Sequence, residues 1–292
     1  IKNPIPWPNG ARCAGVISFD MDADSLIHIS RPEDSHNRPY PISMGRYGPT
    51  VAIPRILDTY QRLGLKQSFF IPGWCMENYP EAVNDILKGG HEIGHHGYMH
   101  EDPIDAPNQR EWFERALDVH IRMCGKAPVG YRAPVYSINQ EVIDLLVEYG
   151  FRYDSSMMAD DIPYHIKTAK GRLWEMPVHW GVDDWPPFAH YSEIGYMMPV
   201  RSPSQGLSGF WEEFDAAYEA GGFFMLIAHP FLTGRLARWK KVEEWLEKTL
   251  KEKDVWFASL EEIVDHLDQV TKSGGYIPRK ENLPYFDGPI LK

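Results

Sequence analysis

Cys13-Ala14-Gly15-Val16-Ile17-Ser18-Phe19-Asp20-Met21-Asp22 is apolar for most of its length and acidic where it ends. A short apolar run with a polar stop reads as a strand buried on both faces. Phe223–Ala228 repeats the pattern and ends in His229-Pro230. Further strand candidates lie between and beyond them: Gln67–Ile71, His91–His96, Val129–Arg132, Phe151–Asp154, Glu175–Trp180 and Val255–Ala258. Helical periods separate them. Ile53, Ile56, Leu57, Tyr60 and Leu63 share one face, and Trp112, Ala116, Val119 and Met123 share another within Asn108–Met123. Glu81–Leu87, Val142–Tyr149, Trp211–Tyr218, Lys241–Leu250 and Leu260–Val270 complete the helices. Alternating strands and helices predict an α/β fold with a mostly parallel sheet. The 292 residues show no repeat or composition shift, which predicts one domain, 1–292, closed as a (β/α) barrel.

Three stretches stand outside this rhythm. Ser25–Thr50 is polar and rich in Pro, Gly, His and Arg, and reads as a long functional loop. Trp180–Met198 is rich in aromatics, and the two segments together are large enough to cover the mouth of a barrel. The Pro- and Gly-rich tail, 273–292, is expected to wrap the surface or an oligomer partner.

Acidic residues outnumber basic ones, 41 against 30, for a net charge of −11. Without a Lys/Arg cluster this excludes nucleic acid as a partner, because phosphate contacts need a basic face. The longest apolar runs are strand-length, so no membrane span is expected. Ile-Lys-Asn-Pro-Ile-Pro at the start does not read as a secretory signal, although a cleaved one stays open. Cys13, Cys75 and Cys124 lie far apart with no CxxC, which argues against a disulfide framework and a thiolate zinc site. They read as buried thiols in a reducing cytoplasm.

Asp20, Asp22, His96, His100, Arg132, Asp184 and His229 all fall at or just past the C-terminal ends of predicted strands. In a β/α barrel those ends converge on one face, where active sites sit. Two imidazoles four residues apart, His96 and His100, can chelate one ion if the segment turns helically. Asp22 adds an oxygen from another strand, and Asp-His-His with one open position is a catalytic arrangement rather than a structural one. Asp20 shares a strand face with Asp22; a cation between them lets both stay ionised and leaves Asp20 free to take a proton. Asp24 is expected out in the loop. His91 is expected at the far end of its strand, and His95 on the opposite side from His96. Arg132 can fork onto a carboxylate such as Asp20.

Taken together, these residues resemble the polysaccharide deacetylase (NodB-homology) family. The motifs that carry the resemblance are Ser18-Phe19-Asp20-Met21-Asp22, Gly90–His100, Gly130-Tyr131-Arg132-Ala133-Pro134, Asp184-Trp185 and Leu226-Ile227-Ala228-His229-Pro230, with Tyr149–Ser156 between them. The resemblance implies a distorted (β/α) barrel and metal-assisted hydrolysis of an N-acyl bond. It implies Asp20 as general base, Asp22, His96 and His100 as ligands of one divalent ion, Arg132 orienting Asp20, His229 as general acid and Asp184 orienting His229. It also places Val135, Tyr136 and Trp185 against substrate. Zinc is the first candidate, with cobalt, nickel and manganese suited to the same ligands.

Three positions depart from the family pattern: the Asp-x-Asp spacing, Gly97 where Ser or Thr is usual, and Val135 where an aromatic is usual. The Asp-x-Asp spacing, the His96-Gly97-Tyr98-Met99-His100 form, the strand-breaking Asp183-Asp184-Trp185-Pro186-Pro187 and the segment Arg46–Leu57 look most like a branch that includes a Helicobacter peptidoglycan deacetylase homologue, bacterial cyclic imide hydrolases and, more distantly, a metal-independent allantoinase. The leading expectation is a cytoplasmic, oligomeric (dimeric or tetrameric) hydrolase of a small amide, cyclic imide or N-acetyl compound. A peptidoglycan or chito-oligosaccharide deacetylase, a metal-independent cyclic ureide hydrolase and an inactive sugar-binding barrel are the alternatives.

Overall fold

The computed structural model describes residues 1–104, 106 and 108–291. Among them one sheet holds ten strands: β1 (Cys13–Asp20), β2 (Ser68–Ile71), β3 (Glu92–His95), β4 (Gly130–Tyr131), β5 (Tyr153–Asp154), β6 (Tyr164–Lys167), β7 (Arg172–Glu175), β8 (Phe223–Ala228), β9 (Val255–Phe257) and β10 (Lys280–Asn282). Their order is β10-β6-β7-β5-β4-β3-β2-β1-β8, with β9 also on β1. All pairings are parallel except β6 with β7. The central strand β1 is buried throughout, as its apolar run predicts. One of its edges is shared by β9 and β2, and Gln67 plugs the gap between them. Its Oε1 accepts from Ile17 N at 2.6 Å and its Nε2 donates to Ala258 O at 3.2 Å.

The barrel closes irregularly. After β7 the chain continues alongside the segment that follows β5 and meets β8 through a parallel bridge between Asp183 and Ile227. The predicted strand Glu175–Trp180 is therefore misplaced: regular pairing ends at Glu175. Met176 N still donates to Asp154 O at 2.8 Å and Val178 N to Met157 O at 3.1 Å, but Pro177 between them has no N–H to give. The β6–β7 hairpin, turning at Thr168–Gly171, was not expected, and neither was β10, by which the tail adds a strand to β6.

Ser25–Thr50 is not a loop. It folds into helices Ser25–Ser30 and Pro39–Tyr47, a 3-10 turn at Ser35–Asn37 and a π turn, Gly48–Ala52. Its prolines read as breakers, yet Pro39 and Pro41 sit in a first helical turn, where a missing N–H costs nothing. Gly45 on that helix lies against the strand end after β1: a Cβ there would stand 2.4 Å from Ala23 O. Cys13 and Cys75 are buried, as expected, whereas Cys124 is only half-buried.

Asp154 and Glu175 face each other in register across β5 and β7, and both are fully buried. Burial raises both carboxyls, and two anions cannot share such a site. One proton held between them satisfies Glu175 Oε2, which has no other partner among the described residues. The folded state then holds a proton that the unfolded chain releases in the ordinary carboxyl range, so this pair's contribution is full at acid pH and declines as pH rises towards the raised folded value. Glu175→Gln carries no such proton. Between about pH 5 and about pH 8 its melting temperature should fall less than that of the parent protein. Parallel melting profiles would show that no proton is shared.

Candidate active site

Asp20 ends β1, and Met21 N donates to Phe70 O at 2.8 Å, which carries the extended backbone on to Asp22. His96 follows β3, Arg132 follows β4 and His229 follows β8. These strand ends converge, so residues more than 200 positions apart in sequence surround one cavity.

Arg132 is fully buried. Its Nη1 donates to Asp20 Oδ1 at 2.6 Å and to Ser18 Oγ at 3.0 Å, and its Nη2 to Ser155 Oγ at 3.0 Å. The expected two-pronged fork onto Asp20 is thus a single prong, because serines take the other donors. The Phe70 ring lies 4.1 Å from the guanidinium carbon. Arg132 therefore fixes the position of the Asp20 carboxylate through a buried ion pair.

His96 and His100 meet, but not through a helix. Gly97 has φ +72° and His100 φ +62°, and this left-handed turn swings both rings inward. A Cβ on Gly97 would stand 2.8 Å from the Glu101 carboxylate, so the usual Ser or Thr does not fit here. Glu101 accepts from Tyr98 N and Met99 N. Gly73 N and Trp74 N, at the start of helix Gly73–Asn78, donate to Gly97 O and Tyr98 O at 3.0 and 2.7 Å. Glu101 escaped the sequence reading; a carboxylate next to a Gly-x-x-His turn was the available signal. His91 and His95 face away, His91 accepting from Gln67 N and His95 bonding Phe113 O. Asp24 is not out in a loop: it is buried and accepts from the Tyr79 hydroxyl.

Asp22 lies among three imidazoles. His96 Nε2 is 3.3 Å from Oδ1, and His100 Nε2 and His229 Nε2 are 3.6 and 3.5 Å from Oδ2. Neither Asp22 oxygen nor His96 Nε2 has a hydrogen-bond partner among the described residues, although all three are buried. His96 Nδ1 must donate to Arg132 O, at 2.7 Å, so the Nε2 of a neutral ring offers a lone pair to a carboxylate. A cation between them removes the conflict. Ligand atoms about 2.0 Å from a tetrahedral ion lie about 3.3 Å from one another, close to these spacings. The donor set Asp22, His96 and His100, whose ligating atoms all fall within 4.8 Å, therefore fits a divalent ion. Burial pushes the His100 ring down to about 4, keeping it neutral and available.

A second group within the same span, Asp183, Asp184 and His229, does not fit an ion. Asp184 is filled: Oδ1 takes His229 Nδ1 at 2.6 Å, and Oδ2 takes His229 N, Thr233 N and Thr233 Oγ1. This leaves His229 Nε2 facing the cavity. Burial opposes charge on that ring, but the Asp184 carboxylate outweighs it and, with Asp22 and Asp183, raises its pKa to about 10.

The cavity holds about 200 Å³. Asp20, Asp22, His96, His100 and His229 line one part of it, and Leu26, Ile29, Trp180, Trp185 and Ile194 form apolar walls. Tyr136 and Val135 stand at the rim with φ +58° and +50°; for a β-branched valine that is a strained backbone. Trp185 meets the His229 ring edge-on at 5.4 Å. Asp183, which has no role in the sequence reading, is also in the lining. Across the mouth, Arg31 Nη2 donates to Glu193 O at 3.2 Å and Arg38 pairs with the Glu193 carboxylate, so the two covering segments touch.

A sequence profile described as Polysaccharide deacetylase matches residues 47–153. A crystal structure from Mycobacterium smegmatis, assigned as a polysaccharide deacetylase, superposes with a TM-score of 0.89 at 33% identity, covering 97% of this chain and 98% of that one. The chain belongs to the polysaccharide deacetylase family. Its fold is the distorted (β/α) barrel of these deacetylases, and its reaction class is hydrolysis of a carbon–nitrogen bond of the amide type. The peptidoglycan deacetylase of Helicobacter pylori is 26% identical over 279 residues, spanning 86% of this polysaccharide deacetylase homologue and 95% of that protein. The fold is also that of the PuuE allantoinase, with a TM-score of 0.75 at 20% identity over 90% and 92% of the two chains. Among the described residues no helix is long and apolar enough to cross a membrane.

Proposed function

We propose that this chain is a metal-dependent hydrolase of a small amide, cyclic imide or N-acetyl compound, acting as one catalytic domain over 1–292. The observation that carries the small substrate is the mouth: ties from Arg31 and Arg38 to Glu193 join the two covering segments over a cavity of about 200 Å³. A pocket of this size suits a single ring or acyl group. Asp22, His96 and His100 would hold the ion, zinc first, with cobalt, nickel or manganese suited to the same donors. When bound there, the ion supplies Lewis-acid polarisation of the acyl oxygen and lowers the pKa of water.

The chain's own residues do the rest. Asp20, held in place by Arg132, takes a proton from the attacking water. His229 gives its Nε2 proton to the departing nitrogen, while Asp184 holds Nδ1–H and fixes the ring. Trp185 and Tyr136 restrain the substrate, and Val135 touches it at the rim. The cytoplasm, as a reducing compartment, suits the three free thiols. The exposed apolar side chains Met197, Met198, Ile290 and Leu291 suit a homo-oligomer.

The test is substrate size. A small cyclic imide or amide should be hydrolysed and a six-sugar chito-oligosaccharide should not, read as ring opening or acetate release. Comparable turnover of the two would contradict an enclosed pocket. A second reading, peptidoglycan deacetylation, is favoured by the likeness to the Helicobacter pylori enzyme along nearly its whole length. Acetate release from the oligosaccharide, with the imide untouched, would select it.

A further inference from the structure

Asp183 has no part in the chemistry above, yet it is a buried carboxylate in the wall of the cavity. Its backbone is pinned by the bridge to Ile227, and Asp184 N donates to Ile227 O at 3.0 Å. Oδ1 accepts from Trp185 N at 2.7 Å, and Oδ2 accepts from the Tyr136 hydroxyl. An ionised carboxylate has about four acceptor positions, so about two are left over. No lysine or arginine pairs with it among the described residues. One of its oxygens lies within 4.8 Å of a His229 ring nitrogen.

The rest of the lining sharpens the point. Apart from the residues already given roles, its polar groups are Asp183, the Ser30 hydroxyl and the Trp180 indole N–H, and no Lys, Arg, Asn or Gln lines it. Such a wall offers little to a ligand rich in acceptors and an unfilled acceptor to a ligand that donates. Asp183 and His229 line the same cavity, so a donor that reaches Asp183 comes near the ring beside which the departing nitrogen is placed.

We infer that Asp183 accepts a hydrogen bond from the N–H of the bond being cut, and so selects secondary amides or imides over their N-alkylated counterparts. The inference rests on the small-substrate reading above. Water forms the new C–O bond and gives one proton to Asp20. The C–N bond breaks, its electron pair goes to nitrogen, and nitrogen takes a proton from His229. The original N–H stays on nitrogen and on Asp183 throughout, holding the plane of the amide so that the developing lone pair meets His229 Nε2. Asp183 is thus a specificity residue that touches substrate without exchanging a proton with it.

The experiment compares a cyclic imide with its N-methyl form in the metal-loaded protein. A site built around a hydrogen bond rejects an analogue lacking it strongly, so kcat/KM for the parent imide should exceed that for the N-methyl form by about 10³-fold or more. In Asp183→Ala and in Asp183→Asn the ratio should fall at least about tenfold, because the buried acceptor is gone or half replaced by a donor. The Asn variant keeps the volume. A ratio that falls in Ala and stays at the parental value in Asn would assign the selection to space and overturn the inference. Equal loss on both substrates, which leaves the ratio unmoved, would make Asp183 merely structural and also overturn it, with the small-substrate reading intact. Failure of the parent protein to open the imide, with metal bound, would overturn that reading and this inference with it.

Discussion

His96→Ala or His100→Ala is expected to strip the protein of its divalent ion and reduce activity to background. Asp22 makes the reason plain. Its carboxylate is buried beside three imidazoles with neither oxygen in a hydrogen bond among the described residues, a deficit that a divalent ion among Asp22, His96 and His100 would make good. Three donors would hold the ion, and removing one leaves two, too few for a closed set with one open position. Elemental analysis should find about one ion per chain in the parent protein and none in either variant. His91→Ala, at the opposite end of β3, should keep its ion. Affinity should fall at acid pH mainly through His96. Burial disfavours its charge, but Asp20 and Asp22 outweigh this and raise its pKa, so it is the donor that a proton competes for first. Full activity after exhaustive chelation would refute the metal-dependent reading.

His229→Ala should lose on the order of 10²–10⁴ in rate, the usual worth of a positioned proton donor, and should keep its ion. The loss should be smaller for an imide, whose nitrogen departs without full protonation, than for a simple amide. The protonated ring is the active form, so the rate falls as pH rises through its pKa. Asp184 and its neighbours hold that value at about 10 against burial. A cation on Asp22 cancels that carboxylate's share, which brings the alkaline limb below 10. The pH–rate profile of the parent should show this limb, and the residual rate of His229→Ala should lack it. An unchanged limb would assign it to another group. Loss of the ion would make His229 a ligand and end its assignment as the acid.

The strand ends were legible because burial and chemistry leave opposite marks on a strand: an apolar body and a polar stop, as in Cys13–Asp22 and Phe223–His229. What periodicity could not reveal was backbone with no period. The His96–His100 turn depends on two left-handed residues, and a helical reading of the same spacing was equally open. Proline misled in both directions: Pro39 and Pro41 open a helix that looked like loop, and Pro177 ends a ladder that looked like strand. The single-pronged contact of Arg132 could not be foreseen, because Ser18 and Ser155 compete for its donors from 114 and 23 positions away. Asp183 was hidden by its neighbour. Only the bridge to Ile227 turns two adjacent carboxylates to different tasks, one filled by Thr233 and His229 and the other open to the cavity.

The charged groups of the site and the walls around them come from different kinds of chain. Asp20, Asp22, His96, Arg132 and His229 are anchored to ladder-bonded strand ends, whereas Leu26, Ile29, Trp180 and Ile194 belong to short helices and irregular segments folded over them. Reactivity and selectivity are therefore inherited separately. Exchange of the covering segments for those of a relative is expected to leave the register of β1, β3, β4 and β8 in place so long as Ser25 still bonds Asp22 O and Gly45 still packs on Ala23. Asp183 and Trp185 sit on the seam between the two parts, and exchanges of the covering segments should take their boundary on the far side of those residues.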